Sequence, residues 1–308
     1  MKHVAVLHGG FSAEREVSLV TGAEVARGLT DGGYRVTTID VRRDAAALVA
    51  ALQPRPDVVF NALHGRYGED GCVQGVLELI GVPYTHSGVL ASALAMDKPT
   101  AKRLFAAAGL RCPEGVVMDR AALARGDAMA RPYVVKPVNE GSSVGVRIVR
   151  SGDNLPPAEV AGGPAHDGRV LVERFIPGRE LTVSVMGDRP LAVTELRPKS
   201  GFYDYANKYT AGRTEHLVPA ALPPAVYQAA LEIGLAAHRS LGCRGVSRAD
   251  LRYDDSDGVG GPDRLYLLEI NTQPGLTPLS LVPEQAAHCG IGFGALVSWM
   301  VENARCDA

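Results

Sequence analysis

The sequence predicts an α/β protein in which an N-terminal domain on a parallel sheet precedes an α+β portion dominated by antiparallel strands. Two patterns carry that prediction. In the first third, short apolar runs that read as buried strands alternate with helical segments, which is the mark of right-handed βαβ units. Beyond residue 170, strand-like runs alternate partially between apolar and polar residues, as a sheet with one covered face requires. With 308 residues and 46% hydrophobic content, the chain can bury the cores of two or three compact domains.

Val4–Leu7 is the first expected strand, followed by a glycine turn, a helix from about Glu14 to Leu29, a second strand near Val36–Ile39 and a third within Asp57–Leu63. The turn His8-Gly9-Gly10 resembles a dinucleotide-binding start, but the full G-x-G-x-x-G is absent, so contact with an anion and a plain turn both stay open. Around Met96–Lys98 the pattern changes, and a second domain is expected to begin with a helix, a strand near Val116 and a strong strand, Tyr133–Pro137. The Gly- and Pro-rich stretch Ser151–Gly168 reads as a loop or a very short helix. Strands at Val170–Phe175, Leu181–Met186 and Leu191–Leu196 follow. Pro198–His216 is polar and aperiodic, and a loop of that length is usually functional or disordered. Val226, Ala230, Ile233, Ala237 and Leu241 then mark an amphipathic helix capped near Gly242. Strands at Val246–Tyr253 and Leu265–Ile270 and a last helix, Phe293–Asn303, complete the chain, without internal repeats.

Composition narrows the function classes. A formal net charge of -2 provides no basic footprint for nucleic acid, so small molecules are the expected partners. The start lacks the features of a secretory leader and no stretch reaches about 18 uninterrupted apolar residues, which reads as a soluble, cytoplasmic protein outside the membrane. Five cysteines, with no C-x-x-C pair, are expected to be reduced and structural. Only six of the 32 basic residues are lysines: Lys2, Lys98, Lys102, Lys136, Lys199 and Lys208. In a chain that prefers arginine, a retained lysine suggests a compact, flexible point charge, as at phosphate groups.

The most specific constellation is the pair of late strands. Side chains alternate faces along a strand, so Arg248 shares a face with Asp250, and Glu269 with Asn271. Two carboxylates and an amide oxygen suit Mg²⁺, which takes a few protein oxygens plus substrate phosphates. The alternative is a surface hairpin with salt bridges. Thr272-Gln273-Pro274-Gly275 then forms a tight turn whose N–H groups can point into the site at a developing oxyanion, or is a plain turn. Val134-Val135-Lys136-Pro137 followed by Glu140-Gly141-Ser142-Ser143-Val144-Gly145 reads either as a phosphate lid, lysine at a strand end facing a Gly/Ser loop, or as a glycine-rich hairpin. It is not a Walker A loop, because no Gly-Lys-Ser/Thr opens a helix. Glu173-Arg174-Phe175-Ile176 with Glu180 reads as a strand edge that could recognise adenine and ribose, although isolated glutamates are more often solvated.

This order of parts resembles the ATP-grasp superfamily and, from end to end, the D-alanine–D-alanine ligase family within it. The motifs that carry the resemblance are His8-Gly9-Gly10 with Ser12–Ser18, Leu63-His64-Gly65 with Gly68–Gly71, Met96-Asp97-Lys98, the EGSSVG loop, Phe202–Tyr205 with Lys208-Tyr209, and Asn271–Gly275 with Ser280–Pro283. The resemblance implies a Rossmann-like substrate domain at 1–96, a central ATP-grasp lobe at 97–175 and a C-terminal lobe at 176–308 carrying metal and substrate sites. It implies that Lys98, Lys136 and Lys208 contact ATP phosphates, with Ser143 in the loop, and that Glu173, Arg174, Phe175, Ile176 and Glu180 hold the adenosine. Asp250, Glu269 and Asn271 would bind two Mg²⁺, or Mn²⁺. Glu14 would receive the ammonium of the first D-alanine, linked through Ser142 and Tyr209 to the closing loop, with His64 near that substrate. Ser280, with Lys208, would hold the second carboxylate, and Arg248 with the Gly275 N–H the oxyanion. A homodimer is a further implication. Two departures concern local geometry: Arg174 stands where the family often has lysine, and Ser151–Gly168 is poor in helix signal.

The expected reaction is ATP-driven: one D-alanine carboxylate takes the γ-phosphate, and the amine of the second displaces it. A D-lactate-using ligase is the near rival, against which Tyr209 speaks, because depsipeptide-forming members usually carry an aromatic without the hydroxyl there. A non-catalytic nucleotide-binding module and a Rossmann oxidoreductase are weaker, since neither needs a metal set together with Glu14 and Ser280.

Overall fold

The structure, a computed structural model, describes residues 1–123, 125–141, 145–153, 168–199, 212–258 and 260–307. Three sheets organise it. The first is parallel, with order β2-β1-β3, where β1 is His3–Gly9, β2 Arg35–Val41 and β3 Val58–Asn61. α1 (Arg15–Asp31) connects β1 to β2, and α2 (Ala45–Ala51) connects β2 to β3, the βαβ arrangement that the apolar runs demand. Alternation along β1 serves both faces of this sheet. Ala5 and Leu7 pack on one side with Leu48, Leu77 and Tyr84, whereas Val4 and Val6 pack on the other with Val25, Leu29, Val297 and Met300. Those last residues belong to the final helix, so the C-terminal end of the chain returns to close the first sheet.

Past β3 come α3 (Cys72–Ile80), α4 (Val89–Met96) and α5 (Lys98–Ala107). The break between α4 and α5 is sharp because the Asp97 carboxylate accepts from Thr100 N–H at 2.9 Å and Pro99 follows in the first turn. The second sheet is antiparallel, with order β4-β7-β5-β6, from β4 (Gly115–Asp119), β5 (Tyr133–Pro137), β6 (Arg147–Val149) and β7 (Arg169–Arg174). Its core is small: Leu123, at the end of α6 (Arg120–Leu123), with Tyr133, Val135, Val149, Val170 and Val172.

The third sheet has order β10-β9-β8-β11-β12, all antiparallel, from β8 (Arg179–Met186), β9 (Arg189–Pro198), β10 (Thr214–Leu217), β11 (Val246–Tyr253) and β12 (Leu265–Asn271). α7 (Pro224–Ser240) and α5 cover one face, burying Val226, Ala230 and Ala237 with Phe105, Ala249, Leu251 and Leu267. Gly242, at φ +68, turns the chain after α7 into β11. α8 (Leu281–His288) packs on β8 and β9, where Gln285 bonds to Ser184, Thr182 and Thr194, and α9 (Phe293–Glu302) packs against α1 and the first sheet.

The sequence reading and the structure part in a few places. β10 occupies the end of the stretch expected as a loop; it is held by pairing with Glu195–Pro198 rather than by apolar alternation of its own. α2, α3, α4 and α8 are seven to nine residues long and were not resolved individually, α4 because VLASALAM is too uniformly apolar to show a period. The core of the Ser151–Gly168 segment, and 200–211, lie outside the described residues.

Candidate functional site

Two adjoining cavities meet on the uncovered face of β11 and β12. In β11, Ala249, Leu251 and Tyr253 point into the core, so the residues between them, Arg248, Asp250 and Arg252, face the cavities. Register sets Arg248 opposite Asn271 and Asp250 opposite Glu269, so the four polar groups expected to share a patch do so. The register shifts between Asp250 and Leu251, and beside this irregularity Leu268 and Glu269 both line the second cavity. Arg248 donates to Asp250 through Nε and Nη2, both at 2.8 Å, and Thr182 Oγ1 donates to the same carboxylate at 2.9 Å. Asn271 Oδ1 accepts from the Gln273 N–H at 2.8 Å.

This donor set fits a hard divalent cation: two carboxylates on paired strands and an amide oxygen with a second lone pair. Among the described residues no group of three or more His, Cys, Asp or Glu side chains gathers as a metal site. A cation on the patch would therefore draw its remaining oxygens from phosphate and water.

The first cavity is lined by Glu14, His64, Glu69, Lys98, Gly141, Arg248, Glu269, Asn271, Gly275 and Ser280 among others. Glu14 is buried at the start of α1, and a Cβ on Gly141 would lie 2.7 Å from its carboxylate oxygen, so glycine lets the loop backbone come this close. His64 is buried, with Nε2 2.9 Å from Thr21 Oγ1 and Nδ1 3.0 Å from Glu69 Oε1. Ser280 Oγ sits beside Gly275 and accepts from the Thr277 N–H at 2.9 Å. The 272–275 turn is fixed from behind: buried Gln273 accepts from Asn61 Nδ2 at 2.9 Å and donates to the Leu63 carbonyl.

The second cavity shares Lys98, Glu140 and Glu269 with the first and adds Lys136, Glu173–Ile176, Glu180, Asp250 and Arg252. Lys98 Nζ donates to the Glu140 carbonyl at 2.6 Å and lies 3.5 Å from Glu269 Oε2, at the junction. Lys136 and Glu173 are both buried and paired, and Lys102 pairs with the other oxygen of Glu173. Burial pushes the Lys136 ammonium down, but Glu173 and Glu269 outweigh it and leave the group above its ordinary value. Burial likewise pushes the Glu173 carboxyl up, and Lys136 and Lys102 together hold it below the usual range. Arg252 organises the connection into β8, donating to the Ile176 and Gly178 carbonyls at 3.0 and 2.8 Å and lying 3.4 Å from Glu180. The Arg174 and Phe175 N–H groups donate to Glu114 and Pro132 carbonyls, so these two expected adenine-edge donors are engaged within the protein. Arg174 stacks its guanidinium 5.2 Å from the Tyr266 ring. Ser142, Ser143, Lys208 and Tyr209 lie outside the described residues.

Comparison with known proteins shows the family and the fold. The family model described as "D-ala D-ala ligase C-terminus" matches residues 105–302, and "D-ala D-ala ligase N-terminus" matches 43–87. The chain belongs to the D-alanine–D-alanine ligase family. Among relatives of this ligase family, the D-alanine–D-alanine ligase of Acidiphilium cryptum is 58% identical over 306 residues, 99% of both chains. That of Paramagnetospirillum magneticum is 59% identical over 307 residues, again 99% of each. A crystal structure of the ligase from Bacillus anthracis superposes with a TM-score of 0.81 at 30% identity, covering 98% of this chain and 97% of that one. Its complex with ATP gives 0.80 at 30% identity, with 98% and 96% covered. The fold is accordingly the ATP-grasp fold of the ligase family.

The site also involves side chains that motif reading passed over, Thr21, Asn61, Lys102, Thr182 and Arg252, and two, Glu69 and Gln273, that stood inside quoted motifs without a role of their own. Most carried no isolated signal, because each acts through a partner distant in sequence. Two could have been found. Arg252 continues the i, i+2 face of Arg248 and Asp250, and Lys102 is one of the six retained lysines, one helical turn beyond Lys98.

Proposed function

We propose that this chain joins two D-alanines into D-alanyl-D-alanine for peptidoglycan precursors, with ATP converted to ADP and phosphate through an acyl phosphate. The observation that carries the reading is the junction of the two cavities at Lys98 and Glu269: a nucleotide in one would present its terminal phosphate to a substrate in the other. A carboxylate is a poor acyl donor at neutral pH, so its oxygen first attacks the γ-phosphorus and ADP leaves. The amine of the second D-alanine then attacks the acyl carbon, and phosphate departs with the carboxylate oxygen.

Residue roles follow from placement and from the resemblance. Glu14 takes the ammonium of the first D-alanine, within a wall that His64 and Glu69 hold in place. Ser280 takes the carboxylate of the second, together with Lys208. Lys98 and Lys136, with Lys208 and the Ser142–Ser143 loop, contact the triphosphate, and Glu180 and Glu173 with the Arg174–Ile176 edge lie along the adenosine. Tyr209 links the closing loop to Ser142. Arg248 and the Gly275 N–H face the tetrahedral oxyanion, since both line the substrate cavity. Asp250, Glu269 and Asn271 would hold two Mg²⁺, or Mn²⁺, which when bound neutralise charge on the β- and γ-phosphates.

In this reading residues 1–96 form the substrate domain, 97–175 the central lobe and 176–308 the C-terminal lobe, working as a cytoplasmic homodimer. Among the described residues no helix is long and apolar enough to cross a membrane. Product analysis tests the assignment. Incubation with ATP, Mg²⁺ and D-alanine, with or without D-lactate, should give the dipeptide from pH 7 to 9 and no ADP when Mg²⁺ is chelated. Depsipeptide as the main product would move the assignment to the D-lactate ligases.

A further inference from the structure

Lys102 has no place in the roles above, yet it is one of only six lysines and sits directly behind the nucleotide cavity. It follows Lys98 by four residues on α5, so both ammonium groups leave the same helix face. Its Nζ donates to the Pro113 carbonyl at 2.7 Å and pairs with Glu173 Oε1, whereas Lys136 pairs with Oε2. The side chains of Lys102, Glu173 and Lys136 are 13%, 3% and 8% exposed. Glu173 and Lys136 line the cavity and Lys102 does not. The carboxylate has little room to turn, because Gly115 lies opposite it in the β4–β7 register and a Cβ there would stand 2.9 Å from Glu173 Cγ.

Two ammonium groups and one carboxylate leave the triad with a single positive charge. If Lys136 were the only partner of Glu173, the pair would be neutral. Drawing Lys136 toward a phosphate would then strand a buried, uncompensated carboxylate, which is strongly unfavourable. A rear ammonium removes that conflict: Glu173 stays compensated while Lys136 gives its charge to the nucleotide. We infer that Lys102 is a positioning residue that holds Glu173 from behind and so frees the Lys136 charge for the ATP phosphates, an inference that rests on the ligase reading for the identity of the nucleotide.

Calorimetric binding of ATP and of adenosine to the full chain tests this without turnover. Lys102→Gln keeps a donor for the Pro113 carbonyl and removes the charge, and Lys102→Arg restores the charge. The expected result for Lys102→Gln is ATP binding weakened about tenfold more than adenosine binding. Lys102→Arg should recover most of the ATP affinity. Equal weakening of ATP and adenosine, unchanged ATP affinity in Lys102→Gln, or no recovery in Lys102→Arg would each overturn the role. Should Lys102→Gln not fold, Lys102→Arg alone decides: it must bind ATP like the parent chain. Parent chain that binds ATP but makes no ADP with D-alanine would sink the ligase reading and leave the Lys102 comparison intact.

Discussion

The two cavities are built by different means. The cavity proposed for the nucleotide rests on strands and buried charge: Lys136 projects from β5, Glu173 from β7 and Asp250 from β11, each fixed by a neighbour of opposite sign. The cavity proposed for the substrate rests on chain segments between elements, namely residues 62–69 and 272–280, fixed by amide and hydroxyl bonds from Asn61, Thr21, Gln273 and Thr277. Strands hold charges in register, which suits a polyanion whose phosphates are evenly spaced. Segments tied by hydrogen bonds shape a pocket for a small zwitterion, where placement matters more than charge.

That contrast can be broken first on the charged side. Lys136→Ala should lower ADP formation by roughly 10²- to 10³-fold, with D-alanine binding retained; near-normal turnover would remove Lys136 from the phosphate site. The next effect is indirect. Thr182→Val deletes the hydroxyl that orients Asp250, and the Mg²⁺ concentration for half-maximal rate should rise about tenfold or more, as a metal titration of rate would read. A mutation on the side held by amide and hydroxyl bonds should act differently. Gln273→Ala strips partners from Asn61 and the Leu63 carbonyl, costing about 2 kcal/mol of stability by denaturant melting and raising the KM for D-alanine more than that for ATP.

The last effect concerns pH and neither cavity. His238 is buried beneath the third sheet with Nδ1 2.7 Å from Ser247 Oγ, and burial depresses its pKa to about 4. The unfolded chain binds that proton near the ordinary value of 6.5 and the folded chain only near 4, so the stability it confers is complete above pH 6.5 and falls as pH drops toward 4. His238→Gln should flatten the pH dependence of unfolding free energy by about 1.4 kcal/mol per pH unit across that window. Equal slopes for variant and parent chain would contradict the burial argument.

The same contrast explains what could be read in the sequence. Alternation along a strand is local, so Arg248, Asp250, Glu269 and Asn271 were legible as one face before any coordinates. The parallel first sheet was legible because apolar runs alternate with helical segments, and the antiparallel third because its strands alternate partially between apolar and polar residues. Gln273 holding Asn61, or His64 held between Thr21 and Glu69, depends on contacts across the fold that no spacing rule encodes. The return of α9 to the first sheet was equally hidden, since an amphipathic helix does not announce which face it will cover.

The central claim, that a nucleotide in one cavity phosphorylates the carboxylate of a substrate in the other, is tested most directly with D-alanine labelled with ¹⁸O in its carboxyl group. The account predicts that the phosphate released with each dipeptide carries one ¹⁸O, delivered by the attacking carboxylate. Unlabelled phosphate alongside normal dipeptide yield would contradict it.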